Sequence, residues 1–309
     1  MKVLGIGNAI IDVICKVSDD FLIKNKLTKS TMKLINEAEF QKLSLNLKIE
    51  KTIAGGSVAN SIVGLAQLKN DVSFIGKVND DKFGLDYEKS LISEKVEYFY
   101  DKKKEETPTG VCLILITPDS ERTMCTFLGI SGNIKPDDLN DEKIRESEII
   151  FLEGYLWDKG NPKKAFEKAL TLTKKSAMTL SDKFCVDRHK TDFLNLVKNN
   201  LDITFANEQE ILSLINAKKI EDVIDFAKEL KKIIVITRSD KGSIAINGSD
   251  VIECNSQKNL NIIDLTGAGD LFAAGFLHGY INNKTLKESL EKGTEMASKI
   301  IQVIGARLN

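Results

Sequence analysis

The residues best suited to chemistry lie in segment 264–270, Asp-Leu-Thr-Gly-Ala-Gly-Asp, which runs into an apolar helical stretch over 271–280. Small residues let backbone amides approach an anion closely, and a helix N-terminus adds unsatisfied donors and a favourable dipole. Asp270 falls in the first helical turn, where a carboxylate beside an anion is unfavourable unless it takes up a proton. The segment therefore predicts phosphoryl transfer to a hydroxyl. An acidic first turn after a glycine-rich turn also has a purely structural interpretation.

A second glycine turn, Gly55-Gly56, opens another predicted helix, which carries Asn60 in its first turns. An amide side chain has both a donor and an acceptor and therefore suits a diol, as does a carboxylate that accepts two parallel hydrogen bonds. Asp12, which follows the N-terminal strand, is the carboxylate candidate. A helix-capping Asn60 and a solvent-facing Asp12 are the alternative interpretations.

The N-terminal pattern Gly5-x-Gly7 also matches the start of a dinucleotide-binding fingerprint. That interpretation fails because position 10 is Ile, where the fingerprint requires glycine, and because a β-rich run follows where a helix should begin.

Bulk composition excludes several classes of function. The chain of 309 residues has a net charge of −1, so no overall basic field favours nucleic acid. Its five scattered cysteines form no CxxC pair, which favours reduced thiols in a cytosol over disulfides or a metal site. No run of about 18 apolar residues indicates a membrane span. We therefore expect a soluble cytoplasmic protein.

Strand-like and helical segments alternate along most of the chain, which predicts α/β architecture: a three-layer α/β/α core with a mostly parallel sheet. Helices are expected over 268–281 and 191–198, among others. Segments 96–100, 110–117 and 122–128 are β-rich without intervening helices, and predict a small separate β-sheet lid. We assign 1–9, 48–94 and 129–309 to the core domain, and 10–47 and 95–128 to the lid.

Together, the turn at 264–270 and the upstream segment 54–61, Ala-Gly-Gly-Ser-Val-Ala-Asn-Ser, resemble the two signatures of the ribokinase-like (PfkB) family of carbohydrate and nucleoside kinases. The resemblance covers essentially the whole chain and implies a ribokinase-like fold. It implies that Asp270 is the catalytic base and that the amides of Gly267, Ala268 and Gly269 form the anion hole. It also implies that Asp12, Gly55, Gly56 and Asn60 hold the hydroxyls of the acceptor.

The resemblance also implies a nucleotide site. Asn207 and Glu210 match the family's N-x-x-E motif, which orders Mg²⁺ partly through water. A helix-capping Asn followed by an acidic first turn would explain the same residues. Thr237, Gly242 and Thr266 match ATP-site positions, and Arg122 matches an arginine near the phosphates. ATP and Mg²⁺ are the expected cofactors. A monovalent cation such as K⁺ near Asp264 is a further expectation.

The order of residues after Gly56 is more similar to adenosine kinases than to ribokinases, which carry a lysine there. This implies transfer to the 5′-hydroxyl of adenosine, in purine salvage, with Tyr155 and Phe127 as aromatic candidates near the base. Glu153 departs from the more apolar eukaryotic pattern. A sugar kinase acting on ribose or fructose is the alternative, and a non-catalytic nucleoside-binding regulator is another. No membrane or nucleic-acid partner is expected, and either a monomer or a lid-mediated homodimer fits.

Overall fold

Two β-sheets organise the chain. The computed structural model describes residues 2–45, 47–119, 121–158 and 162–308. The strands are β1 (Lys2–Ile6), β2 (Ile10–Lys16), β3 (Met32–Leu34), β4 (Ile49–Ala54), β5 (Asp71–Ile75), β6 (Glu97–Tyr98), β7 (Gly110–Ile116), β8 (Arg122–Phe127), β9 (Ile149–Glu153), β10 (Ser176–Thr179), β11 (Ile203–Asn207), β12 (Ile233–Thr237), β13 (Ser243–Asn247) and β14 (Asp250–Cys254). The helices are α1 (Asp19–Lys24), α2 (Glu37–Ser44), α3 (Ser57–Gln67), α4 (Lys82–Ser93), α5 (Asp141–Glu146), α6 (Pro162–Leu172), α7 (Lys183–Asn199), α8 (Glu208–Ile215), α9 (Ile220–Leu230), α10 (Ala268–Ile281) and α11 (Leu286–Ile300).

Within these residues, nine strands form the main sheet in the order β14-β13-β12-β11-β10-β9-β1-β5-β6. The strands from β12 to β6 pair in parallel, and β13 and β14 add an antiparallel edge. Helices cover both faces, because α3 and α10 contribute to one apolar cluster while α6, α7 and α8 contribute to another. Burial on both faces explains why strands such as β9 are continuously apolar up to their last residue. The predicted three-layer α/β/α class is confirmed.

The smaller sheet has the order β3-β8-β7-β2-β4 and forms the lid. Its pairing corrects the predicted division of the chain at two segments. Strand β4, which was assigned to the core, pairs antiparallel with β2. Strand β6, which was assigned to the lid, extends the main sheet beside β5. The sequence obscures both strands, because β4 is an exposed edge strand with charged residues and β6 has only two residues.

The two sheets meet where β1 leads into β2 and where β4 leads into α3. The Gly55 amide donates a hydrogen bond of 2.8 Å to the Ile10 carbonyl, which ties these two connections together. Strand β1 lies between β5 and β9 within the main sheet, so the junction lies at the carboxyl ends of the parallel strands. Open α/β sheets bind ligands at this edge.

Helix α7 begins at Lys183, earlier than the expected segment 191–198. Asp182 caps it by accepting a hydrogen bond of 2.6 Å from the Cys185 amide. The backbone of His189 departs from helical geometry, with φ −117° and ψ 22°, and produces a kink. The kink lies in the polar run Arg188-His189-Lys190, which interrupts the apolar periodicity and hides the first half of the helix.

Candidate active site

The turn before α10 has the geometry of an anion site. Gly267 adopts a left-handed conformation with φ 78°, and α10 begins at the next residue. A Cβ atom on Gly267 would lie 2.7 Å from the Cα atom of Ala306, so the chain passes closely over this turn. Oδ1 of Asp264 accepts hydrogen bonds from the amide and the hydroxyl of Thr266, at 3.0 and 2.7 Å. The first amides of α10 are therefore held at a fixed position.

Asp270 lies in the first turn of α10 and faces α3. Its Oδ1 accepts a hydrogen bond from the Ser57 hydroxyl at 2.6 Å, and its Oδ2 accepts one from the Asn60 amide nitrogen at 3.0 Å. Burial raises the pKa of Asp270 to about 6, although both hydrogen bonds and the charge of Arg307 oppose this rise. A carboxylate with a pKa near neutrality suits a general base.

Asp12 lies across the junction, on β2. Its carboxylate packs on Gly55, where a Cβ atom would lie 2.6 Å from Oδ2 of Asp12. Burial raises the pKa of Asp12 to about 7, and Arg307 opposes this rise. The Gly56 backbone has φ 99°, and a Cβ there would lie 2.2 Å from the Asn8 carbonyl oxygen. The structure thus brings Asp12, Gly55 and Gly56 together beside the helix that carries Asn60.

Glu153 is a third carboxylate at this junction and is buried at the end of β9. It accepts hydrogen bonds from the Asn8 side chain at 2.9 Å and from the Val58 amide at 3.0 Å. Burial raises the pKa of Glu153 to about 7. Glu153 therefore caps the N-terminus of α3 from a neighbouring strand.

The two aromatic candidates lie in other surroundings. The Tyr155 hydroxyl donates a hydrogen bond of 3.0 Å to Asp182. Phe127 is buried within the lid and stacks on Phe40 at a centroid distance of 5.4 Å. Among the described residues, neither ring contacts Asp12, Asn60 or Asp270 through a hydrogen bond or a ring pair. Their contact with an acceptor stays a prediction.

A cavity of about 720 Å³ lies on the other side of the turn. Thr237 and Gly242 line one part of it, and Ala268 and Gly269 line another. Gly242 has φ 89°, and a Cβ there would lie 2.0 Å from the Cys254 carbonyl oxygen. The cavity is large enough for a nucleotide, and these four candidate residues all line it.

Asn207 and Glu210 form a reciprocal capping box at the start of α8, and both Glu210 oxygens accept hydrogen bonds from Asn207. Burial raises the pKa of Glu210 to about 7. No cluster of three metal-ligating His, Cys, Asp or Glu side chains occurs within the described residues. A carboxylate occupied in this way fits an outer position, where it would hold water on a Mg²⁺ ion that is bound mainly by phosphate oxygens.

Arg122 reaches from lid strand β8 to the anion-site turn. Its Nη1 lies 2.7 Å from Oδ2 of Asp264 and 3.2 Å from the Thr266 hydroxyl. Burial favours a higher pKa for Asp264, but hydrogen bonds from Gly305 and Thr266 and the charge of Arg122 hold its pKa below the ordinary value. Both Asp264 oxygens accept from these donors, and the monovalent cation expected near Asp264 and Thr266 stays a prediction.

Sequence reasoning missed Ser57, Glu153 and Arg307 as parts of this site. Ser57 lies within the signature segment 54–61, and Glu153 was noted only as a departure from the eukaryotic pattern. Arg307 is one of only five arginines in a lysine-rich chain, and that rarity was the available signal.

Comparison with known proteins identifies the family of the chain. Residues 6–309 match the family described as pfkB family carbohydrate kinase. The chain belongs to this family. The expected family, fold and enzyme class are thereby confirmed, and the protein is a phosphotransferase with an alcohol group as acceptor.

Individual relatives include kinases of nucleosides and of sugars. The crystal structure of adenosine kinase from Sinorhizobium meliloti is 34% identical, with a TM-score of 0.92, and the match covers 99% of this chain and 95% of that one. A probable sugar kinase from Rhizobium etli CFN 42 is also 34% identical, with a TM-score of 0.91, over 99% of this chain and 94% of that one. Adenosine kinase 2 of Arabidopsis thaliana is 25% identical over 98% of this chain and 94% of that protein. The pfkB-family chain is accordingly a kinase of a nucleoside or a sugar.

Among the helices that the structure describes, none has the length and apolar character needed to cross a membrane.

Proposed function

We propose that this pfkB-family kinase transfers the γ-phosphoryl group of ATP to the primary 5′-hydroxyl of a nucleoside, with adenosine as the preferred acceptor. The observation that carries the proposal is the placement of Asp270. Its carboxylate joins the first turn of α10 to Ser57 and Asn60 on α3, and therefore lies between the nucleotide-sized cavity and the Asp12 junction.

In this proposal the acceptor ribose lies over Gly55 and Gly56. Asp12 has no hydrogen bond from another described side chain, so both of its oxygens are free to accept from a pair of vicinal hydroxyls. Asn60 lies one helical turn from Gly56 and contacts the same acceptor. The primary hydroxyl then faces Asp270, which takes its proton as the oxygen attacks the γ-phosphorus.

The transferring group is stabilised by the amides of Gly267, Ala268 and Gly269, and by the positive end of the α10 dipole. Thr237, Gly242 and Thr266 bind the nucleotide, and Arg122 lies beside the phosphates. Asn207 and Glu210 would order the water around Mg²⁺, which neutralises phosphate charge when it is bound. Closure of the lid excludes water and so limits hydrolysis of ATP.

Charge favours a neutral acceptor. Asp12, Glu153 and Asp270 lie around the proposed acceptor position. Among the described residues, Arg307 opposes the charge of Asp12 and of Asp270, and Arg122 opposes that of Asp12. A nucleoside or a neutral sugar avoids the repulsion that an anionic acceptor would meet. Adenosine is preferred among the neutral acceptors because the relative from Sinorhizobium meliloti is named an adenosine kinase. The enzyme would then serve purine salvage in the cytoplasm, as a monomer or as a homodimer through the lid.

A coupled assay of ADP release, run with adenosine, other nucleosides, ribose and fructose, tests the proposal. We expect the highest kcat/KM for adenosine. A higher kcat/KM for a free sugar would favour the second candidate, a sugar kinase like the probable sugar kinase from Rhizobium etli. Binding of adenosine without turnover of any acceptor would overturn the proposal.

A further inference from the structure

The chain after α11 returns across the anion-site turn instead of leaving the molecule. The amides of Ile263 and Asp264 donate to the Ile301 carbonyl at 2.8 and 3.2 Å, and the Gly305 amide donates to Oδ2 of Asp264 at 2.7 Å. Ala306 then packs against Gly267. Residues 301–308, which we call the C-terminal segment, are therefore held on the turn by backbone contacts that place the following side chain.

That side chain is Arg307, and it reaches into the acceptor junction. Its Nε donates a hydrogen bond of 3.1 Å to Oδ1 of Asn60, and its Nη1 donates one of 3.3 Å to the Ser90 hydroxyl. The other end of the same Asn60 amide donates to Asp270 at 3.0 Å. Arg307 thus fixes which end of the Asn60 amide faces the proposed base.

The remaining nitrogen of Arg307 has no acceptor. Nη2 is buried and has no hydrogen-bond partner within residues 2–45, 47–119, 121–158 and 162–308. A buried donor without a partner is unfavourable, and more so when it is charged. The carboxylates whose charges act on this guanidinium include Asp12 and Asp270, the two acids of the acceptor junction. An oxygen of a bound ligand at this junction would satisfy Nη2.

We propose that Arg307 binds and positions the acceptor. Nη2 donates a hydrogen bond to a hydroxyl oxygen of the acceptor, and the same hydroxyl donates a hydrogen bond to Asp12. Nε holds Asn60 in the orientation that Asp270 requires. The ligand class is a neutral compound with vicinal hydroxyls, because a hydroxyl can accept from a guanidinium and donate to a carboxylate at the same time. This inference rests on the proposed function.

Steady-state kinetics of Arg307→Gln with adenosine and ATP test the inference, with Arg145→Gln as a matched control on the exposed face of α5. We expect kcat/KM for adenosine to fall on the order of 10- to 100-fold, mainly through KM, because a charged hydrogen bond is lost. The KM for ATP should stay unchanged, as should both constants of the control. Equal KM values for adenosine in Arg307→Gln and wild type would overturn the proposal.

A second readout separates acceptor binding from a merely structural role. The test uses 2′-deoxyadenosine and 3′-deoxyadenosine, each of which lacks one of the two vicinal hydroxyls. For the one that lacks the contacted hydroxyl, Arg307→Gln should lower kcat/KM little, because the contact is already absent. The same loss with adenosine and with both deoxy acceptors would contradict the contact. Should Arg307→Gln unfold, Arg307→Lys keeps the charge but not the three-nitrogen geometry, and the same comparison of acceptors is made with it.

The pH profile tests the positioning of Asp270. The charged groups that face Asp270 are Arg307, Asp12 and Glu153, and Arg122 faces Asp12. Because Arg307 lowers the pKa of Asp270, the acidic limb of kcat/KM should move to higher pH in Arg307→Gln, whereas an unmoved limb would count against positioning. Wild-type protein that phosphorylates no acceptor would refute the proposed function itself, whereas active wild type with an unaffected Arg307→Gln refutes only this inference.

Discussion

Replacing Asp270 with asparagine removes the proposed proton acceptor while keeping the size and one oxygen of the side chain. The Asn60 nitrogen can still donate to that oxygen, and the Ser57 hydroxyl can turn to accept from the new amide nitrogen. Both contacts therefore survive the change, and the loss of rate measures the loss of the base. A positioned base contributes about 10²–10⁴-fold, so we expect turnover to fall by that factor with nucleotide binding nearly unchanged.

The same substitution, which lowers the turnover rate, should increase the stability of the fold. Burial raises the pKa of Asp270 from 3.8 to about 6, so the folded protein binds this proton more tightly than the unfolded chain does. The stability that the protonated acid provides is present below pH 3.8 and is lost as the pH rises through 6. A neutral asparagine avoids this loss, so the variant should gain up to about 3 kcal/mol in unfolding free energy above that range.

Four measurements check this reasoning: coupled ADP release with adenosine, calorimetric binding of ATP, and thermal unfolding at pH 4 and at pH 8. Asp250→Asn, at an exposed position in β14, is the matched control and should change none of them. Turnover of Asp270→Asn within tenfold of wild type would refute the assignment of the base. A variant that no longer binds ATP would show that Asp270 acts through the fold of the anion site.

Three other changes follow from the same contacts. Asp12→Asn should raise the KM for adenosine by about tenfold or more, because it weakens a charged hydrogen bond to the diol, and should leave the KM for ATP unchanged. An unchanged KM for adenosine would contradict the binding role. Gly267→Ala should lower the unfolding temperature more than Gly248→Ala does. Both glycines have positive φ, but of the two only Gly267 lies against Ala306. Equal shifts in unfolding temperature would refute this close approach. Burial raises the pKa of Glu153 to about 7, so its charged form destabilises the fold at pH 8. Glu153→Gln should therefore unfold at a higher temperature than wild type at pH 8 but not at pH 4. A shift that does not depend on pH would refute this cause.

The sequence predicted the parts of the site whose backbone is locally determined. The turn at 264–270 and the helix over 268–281 follow from glycine geometry and an apolar run, and the structure places α10 at those bounds. The alternation of strands and helices was sufficient for the fold class. Strand β4 was missed because its charged, exposed residues do not alternate clearly, and its pairing depends on β2, which lies far from it in sequence.

Residues whose position depends on distant contacts could not be predicted. Tyr155 follows β9 as expected, but a hydrogen bond to Asp182, 27 residues away, determines where its hydroxyl lies. Arg307 reaches Asn60 across 247 residues of sequence, through a segment held by backbone contacts to the 264–267 turn. No local pattern encodes such an approach, although Arg307 is one of only five arginines in the chain.

The junction between the sheets bears on how acceptor preference can evolve. Gly55 packs against the Asp12 carboxylate, and its amide donates a hydrogen bond to Ile10 at the start of β2. It lies between β4 and α3 in the chain. The connection between the two sheets therefore contains residues proposed to hold the ribose, and a substitution at Gly55 would disturb the Asp12 carboxylate and the β2–β4 connection together. The anion-site turn before α10 lies outside this connection. Such a separation would let one scaffold radiate into kinases for nucleosides and for sugars while its phosphoryl-transfer machinery stays constant.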